Sequence, residues 1–164
     1  MHPSLSAEPS AATPLTVLVD DTRAFRDRRP HVQVRHGDDA VELLRRVRDR
    51  LVDELWLDYD LLDGTTSASA VDHLVARAAR GNRLSVNVIE VHAARVPEAL
   101  HITQRLRRAG YPARRCYAQG IWTRFDATLH DEWRPEPGGG MSDRRTPIVS
   151  EKAALAEITE GVYA

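Results

Sequence analysis

One cysteine and one lysine are all that this chain of 164 residues carries of either type. With Cys116 alone, an intrachain disulfide is excluded, and a reducing cytoplasm is the expected location. With Lys152 the sole lysine, the basic charge is carried by arginine, a fixed fork of donors suited to carboxylates and phosphates. No apolar run approaches the roughly 20 residues of a membrane span, and Met1–Pro14 is too polar to read as a signal peptide. The net charge of -1 removes a strong electrostatic case for duplex DNA or an acidic membrane. Neither a glycine-rich phosphate loop nor a basic, aromatic-studded strand for gripping RNA can be read in the chain. There are no internal repeats.

What is present is a globular composition, 42% hydrophobic and 29% charged, long enough for one domain with extensions. Residues 1–14 are rich in Ser, Ala and Pro and read as a flexible lead. Residues 15–117 alternate strand and helix patterns. Short apolar runs at Leu15–Val19, Leu55–Leu57 and Asn87–Val91 read as strands, His31–Arg35 as an edge strand with period two, and Tyr111–Tyr117 as a second edge strand. Between them lie three amphipathic stripes. The first (Ala40, Leu43, Leu44, Val47, Leu51) is predicted to be capped by Asp38 or Asp39, the second runs from Val71 to Gly81, and the third starts near Pro97 and stops at Gly110. Only Thr22–Pro30 is too charged to read as a helix. The pattern predicts an α/β fold with a five-stranded parallel doubly wound sheet in the order 2-1-3-4-5. Residues 118–164 read as an irregular C-terminal extension, with an aromatic stretch from Gly120 to Trp133, a linker at Pro135–Gly140 and a short helix from Ser150 to Glu160. Its expected role is docking or contact with a protein partner.

Charged residues stand where three of these strands run out. The first ends in Asp20-Asp21, the second in Asp58-Tyr59-Asp60 with Asp63 a turn later, and the third in His92. In a parallel sheet these meet at the carboxyl edge, where open α/β folds bind ligands. Two carboxylates near 4 Å repel by roughly 4 kcal/mol at an effective dielectric of about 20. They therefore share a proton, pair with a cation or hold a metal. Asp20, Asp21 and Asp58 offer oxygen ligands only, which suits Mg²⁺ or Mn²⁺ rather than zinc. The competing reading is that both acids cap the next turn while Arg23 and Arg26 neutralise them. His92 beside such a cluster is a candidate general acid or base, with Asp58 and Asp60 as further catalytic candidates. Arg23 and Arg95 are candidate phosphate-binding residues, with charge balance of the pocket as the alternative.

An acid pair after strand one and an aspartate after strand three resemble the response-regulator receiver fold, in which that third-strand aspartate accepts a phosphoryl group. The Thr or Ser expected after the fourth strand is replaced by His92-Ala93-Ala94, and no lysine follows the fifth. The pattern is closer to the cyclic-phosphate processing receiver domains, through Val19-Asp20-Asp21-Thr22-Arg23, Leu57-Asp58-Tyr59-Asp60-Leu61 and His92-Ala93-Ala94-Arg95. The resemblance covers about residues 15–117. It implies metal-dependent processing of a cyclic or terminal phosphate on a small molecule, nucleotide or RNA terminus. Tyr59 stands where that family has histidine, and Ala93 and Arg95 where it has Ser and Asn. A phosphoacceptor signalling domain and a catalytically silent binding module therefore stay open beside the enzyme.

Overall fold

The computed structural model describes residues 14–136. The lead before Pro14, the linker beyond Glu136 and the Ser150–Glu160 helix lie outside the described residues. The chain forms β1 (Thr16–Val19), β2 (Arg23–Phe25), β3 (Val32–Val34), α1 (Gly37–Arg46), β4 (Val52–Leu57), α2 (Ala68–Ala79), β5 (Val86–Val91), α3 (Val96–Arg108), β6 (Ala113–Arg115) and β7 (Trp122–Arg124). Five of these strands make one sheet in the order β3-β1-β4-β5-β6, with every neighbouring pair parallel. Counting only its members, that is the expected 2-1-3-4-5. Both edge strands are shorter than their sequence patterns, at three residues each.

Topology decides what covers each face. The connections β3–β4, β4–β5 and β5–β6 all move the chain across the sheet in one direction, so right-handed crossovers place α1, α2 and α3 on a single face. The helices accordingly pack in series, α1 on α2 and α2 on α3. Beneath them lie Val17, Val19, Leu55, Leu57, Ile89 and Val91, every second residue of the central strands. The connection β1–β3 runs the opposite way and must cross the other face. That segment forms no helix, and instead its β2 pairs antiparallel with β7, Phe25 opposite Trp122 and Arg23 opposite Arg124.

The second face is therefore unlike the first. One register row across it reads Gln33, Leu18, Trp56, Glu90, Arg114. Leu18, Phe25 and Trp56 form a small core of their own, with Trp122, Ile121 and Cys116 packed on it. Glu90 is buried and accepts from Arg114 Nε at 2.7 Å. Gln33 Nε2 donates to the carbonyls of Asp20 (2.7 Å) and Arg23 (3.1 Å), pinning the β1–β2 corner.

Two local expectations are corrected. Helix α1 starts at Gly37 with His36 in the cap position, so Asp38 and Asp39 lie in its first turn and favour it through the helix dipole rather than as caps. Its stripe ends at buried Val47, and Leu51 is half exposed. The aromatic stretch after Gly120 is not a loose extension. It returns through β7, and Trp133 packs against the main core while its N–H donates to the Gln33 carbonyl at 2.8 Å. Among the described residues no helix is long and apolar enough to cross a membrane.

Candidate metal and phosphate site

The ladder bonds carry three strand ends to one place. Asp20 N donates to Val34 O, Asp58 N to Val19 O and His92 N to Leu57 O, at 2.9–3.0 Å. Each candidate residue is thus the first beyond its strand and is held by the neighbouring strand's last carbonyl. Asp20, Asp21 and Asp58 each present a carboxylate oxygen, all within 4.8 Å of one another.

Asp20 is fully buried and fully engaged. Its Oδ1 accepts from the N–H groups of Thr22 (2.9 Å) and Arg23 (2.8 Å), and its Oδ2 from Arg23 Nε (2.7 Å) and His92 Nε2 (2.9 Å). Burial alone would raise its pKa, but the His92 hydrogen bond and charge, followed by the Arg23 guanidinium, carry it below the usual carboxylate range. The same Arg23 reaches Asp58 Oδ2 through Nη2 at 2.7 Å. Burial and then the neighbouring Asp20 push Asp58 upward, with Arg23 and His92 opposing. Asp21 is also raised, by burial and then by Asp20. Its carbonyl accepts twice from Arg35, at 2.8 and 2.9 Å, while its carboxylate accepts no hydrogen bond among the described residues.

The donor set fits a hard divalent cation. All three donors are carboxylate oxygens at one sheet edge, and two of them are held above their normal pKa by burial and then by the Asp20 charge, which a cation would offset. Arg23 is the existing counter-ion, bridging Asp20 and Asp58. It is therefore a member of the cluster, with both acids in reach of its guanidinium.

His92 lies under this cluster, its side chain 2% exposed. An ionised Asp20 only accepts, so the pairing assigns a proton to Nε2. The ring is held between Trp56 (centroids 6.0 Å apart) and Trp122 (4.6 Å, inclined 33°), and its Nδ1 is buried with no partner among the described residues.

Two candidates do not join the cluster. The chain leaves β4 at Leu57, and residues 59–67 close a loop through Leu61 N to Thr65 O and Ser67 N to Tyr59 O. This carries Asp60 outward, where its carboxylate meets Arg95 Nη1 at 3.4 Å and both side chains are more than half exposed. Arg95 is held as well by Glu98 at 2.6 Å and lies over the Tyr59 ring at 5.5 Å. It is a rim group, tethered on both sides. Asp63 is still farther out, 82% exposed.

Sequence reasoning missed Trp122, which covers His92 and lies 5.5 Å from the Arg23 guanidinium. Its only signal was the aromatic cluster after Gly120.

Residues 15–108, more than half of the chain, match the family described as Cyclic-phosphate processing Receiver domain. The chain belongs to that family. It matches no curated protein and no solved structure. The matched span of this receiver domain ends at the close of α3, so β6 and the β7 strand that brings Trp122 to the site lie beyond it.

Proposed function

We propose that this receiver domain is a metal-dependent phosphoesterase that processes cyclic or terminal phosphates of nucleotides or RNA ends, acting in the cytoplasm. The observation that carries the proposal is the juxtaposition of Asp20, Asp21 and Asp58 within 4.8 Å with the His92 imidazole on Asp20, in a chain of the cyclic-phosphate processing family. The single cysteine supports the cytoplasmic setting.

Mg²⁺ or Mn²⁺ would be held by Asp20, Asp21 and Asp58, and would supply charge neutralisation at the phosphoryl oxygens. Opening a cyclic phosphodiester makes one bond from water oxygen to phosphorus and breaks one of the two ring P–O bonds. Asp58, already raised by burial and Asp20, is suited to take the proton that water loses. His92 would serve as the proton donor to the departing alkoxide; its Nε2 is held by Asp20, and its Nδ1 is the ring nitrogen without a partner among the described residues. Trp122 keeps water from the imidazole, and Arg95 at the rim steers the anion toward the edge.

A specific observation favours a second reading, a catalytically silent binding module. The Arg23 guanidinium already neutralises Asp20 and Asp58 at 2.7 Å each, and Tyr59, Ala93 and Arg95 depart from the family pattern. Phosphoacceptor signalling at Asp58 is disfavoured by Ala93 and Ala94 following His92. A panel of 2′,3′-cyclic nucleotides and cyclic dinucleotides, incubated with Mg²⁺ or Mn²⁺ and followed by chromatography, tests the enzyme. Turnover by wild type that Asp58→Asn abolishes supports it. No turnover of any substrate, with retained binding of a non-hydrolysable analogue, transfers the reading to the binding module. A stable adduct on Asp58 after acetyl phosphate treatment, seen by mass spectrometry, would instead favour the phosphoacceptor.

A further inference from the structure

The outer side of the β2–β7 ribbon carries a second, basic site. An open groove of about 680 Å³ is lined by Arg26, Arg28 and Arg124 together with Phe125, Asp126 and His130. All three arginines are exposed, and none makes a side-chain hydrogen bond or ion pair among the described residues. Arg23, Arg29, Arg35, Arg46, Arg95 and Arg114, by contrast, each hold an acidic partner. The one carboxylate in the lining, Asp126, is turned to Thr128 and accepts from its N–H (2.8 Å) and hydroxyl (2.7 Å). Three guanidiniums thus converge on one concavity with one carboxylate against them. Beside them Phe125 and His130 stack on each other at 5.5 Å, with the Arg35 guanidinium over the Phe125 ring at 4.1 Å.

One strand pairing links the groove to the acid cluster. Arg23, which bridges Asp20 and Asp58, is paired in register with Arg124. Arg26 follows Arg23 by three residues, about 10 Å of extended chain. Arg26 N is itself fixed to Ile121 O at 2.8 Å, which locks the turn to the ribbon.

We infer that this groove binds the phosphodiester backbone of a single-stranded polynucleotide whose terminal phosphate reaches the acid cluster. The inference rests on the proposed function and narrows its substrate class from nucleotides or RNA ends to polynucleotide ends. Arginines supply charge for the backbone phosphates, and the stacked Phe125–His130 pair supplies an aromatic group beside them against which a base can pack. The sequence showed no such face because Arg26 and Arg28 are brought to Arg124 and Phe125 only by a strand pairing between distant segments.

Fluorescence anisotropy on the full chain tests it, using a labelled short single-stranded RNA ending in a 2′,3′-cyclic phosphate, the same RNA ending in a 3′-hydroxyl, and the cyclic mononucleotide as competitor. The expected result is that cyclic-ended RNA binds at least about tenfold more tightly than the mononucleotide. In Arg26→Ser/Arg28→Ser/Arg124→Ser that ratio is expected to collapse to about one. Its salt slope should fall by roughly 2, since each phosphate contact on a single strand contributes about 0.7. The triple Lys variant, which keeps the charge, should retain the slope and controls for folding. Equal affinity for RNA and mononucleotide in wild type, or an unchanged ratio in the triple Ser variant, overturns the inference. Failure of the proposed function has a different signature. RNA then binds through the three arginines regardless of its end group, and Asp58→Asn alters neither RNA.

Discussion

His92 Nε2 and Arg23 Nε converge on the same oxygen of Asp20, at 2.9 and 2.7 Å. A carboxylate that is fully buried and meets two such donors is an anchor for three segments, the β1 end, the β2 ribbon and the β5 end. Removing its charge strands both partners. Asp20→Asn is expected to lower unfolding free energy by about 3 kcal/mol, the low end for breaking a buried pair because Arg23 keeps some solvent contact. Urea denaturation measures this. A loss under about 1 kcal/mol would mean that Arg23 relaxes into water at little cost.

Asp21 should behave in the opposite way. Its carboxylate has no hydrogen-bond donor among the described residues and is raised by burial and by Asp20. In the presence of a chelator, Asp21→Asn is expected to raise Tm. Partial exposure screens the repulsion to at most about 1 kcal/mol, or about 2–4 °C in a chain of this size. The same variant should lose any Tm increase given by Mg²⁺ or Mn²⁺. A Tm increase with metal equal to that of wild type would remove Asp21 from the ligand set.

The pH dependence of the metal-free protein separates the two kinds of aspartate. Asp20 titrates below its ordinary value when folded, so its stabilising contribution is present above about pH 3.9 and is lost as pH falls through its lower folded pKa. Asp58 and Asp21 titrate above theirs, so their cost is absent below about pH 3.9 and grows as pH rises through their folded pKa. Stability with chelator should therefore rise slightly on going from neutrality into the mildly acidic range, then collapse below about pH 4. With Mg²⁺ present the mild rise should vanish, because the ion favours the charged forms. Chemical denaturation across pH, with and without the ion, reads both curves.

Much of the site was legible in sequence because an apolar run that ends abruptly in acid fixes both the strand and its exit. Asp20, Asp58 and His92 meet for that reason alone. Asp60 lies outside the cluster because the chain turns into the 59–67 loop directly after Asp58, and a strand pattern does not show that turn. The ribbon was illegible for another reason. Strands β2 and β7 have three residues each, too few for periodicity, and Arg23 and Arg124 pair through tertiary contact. The unhelical character of Thr22–Pro30 was legible, but not that aromatics from beyond α3 would cover the face it crosses.

Trp122 ties that ribbon to the site. It stacks on Phe25 at 5.3 Å, meets Trp56 edge-on at 5.5 Å and covers His92. Trp122→Ala is expected to cost about 2 kcal/mol or more, below the usual 3–5 for a fully buried tryptophan because the ring is partly exposed. Hydrogen exchange should quicken at Ala24 and Arg26, whose amides face the β7 segment in the ladder. If it quickens only at residues 122–124, the ribbon is not a cooperative part of the domain.

His92 has two possible duties, proton donor and positioner of Asp20, and two substitutions tell them apart. His92→Ala removes both, leaving the Asp20 oxygen one donor short and a void beside Trp122. His92→Gln keeps an N–H donor that reaches a carboxylate but holds no proton to deliver at neutral pH. If the cyclic phosphodiester is opened with His92 as acid, both variants should lose about 10²–10⁴-fold in kcat. Binding of a non-hydrolysable analogue should change little, and the Gln variant should recover most of the stability lost by Ala. A Gln variant within tenfold of wild type would make His92 a positioning residue whose work is to keep Asp20 ionised and aimed at the cluster.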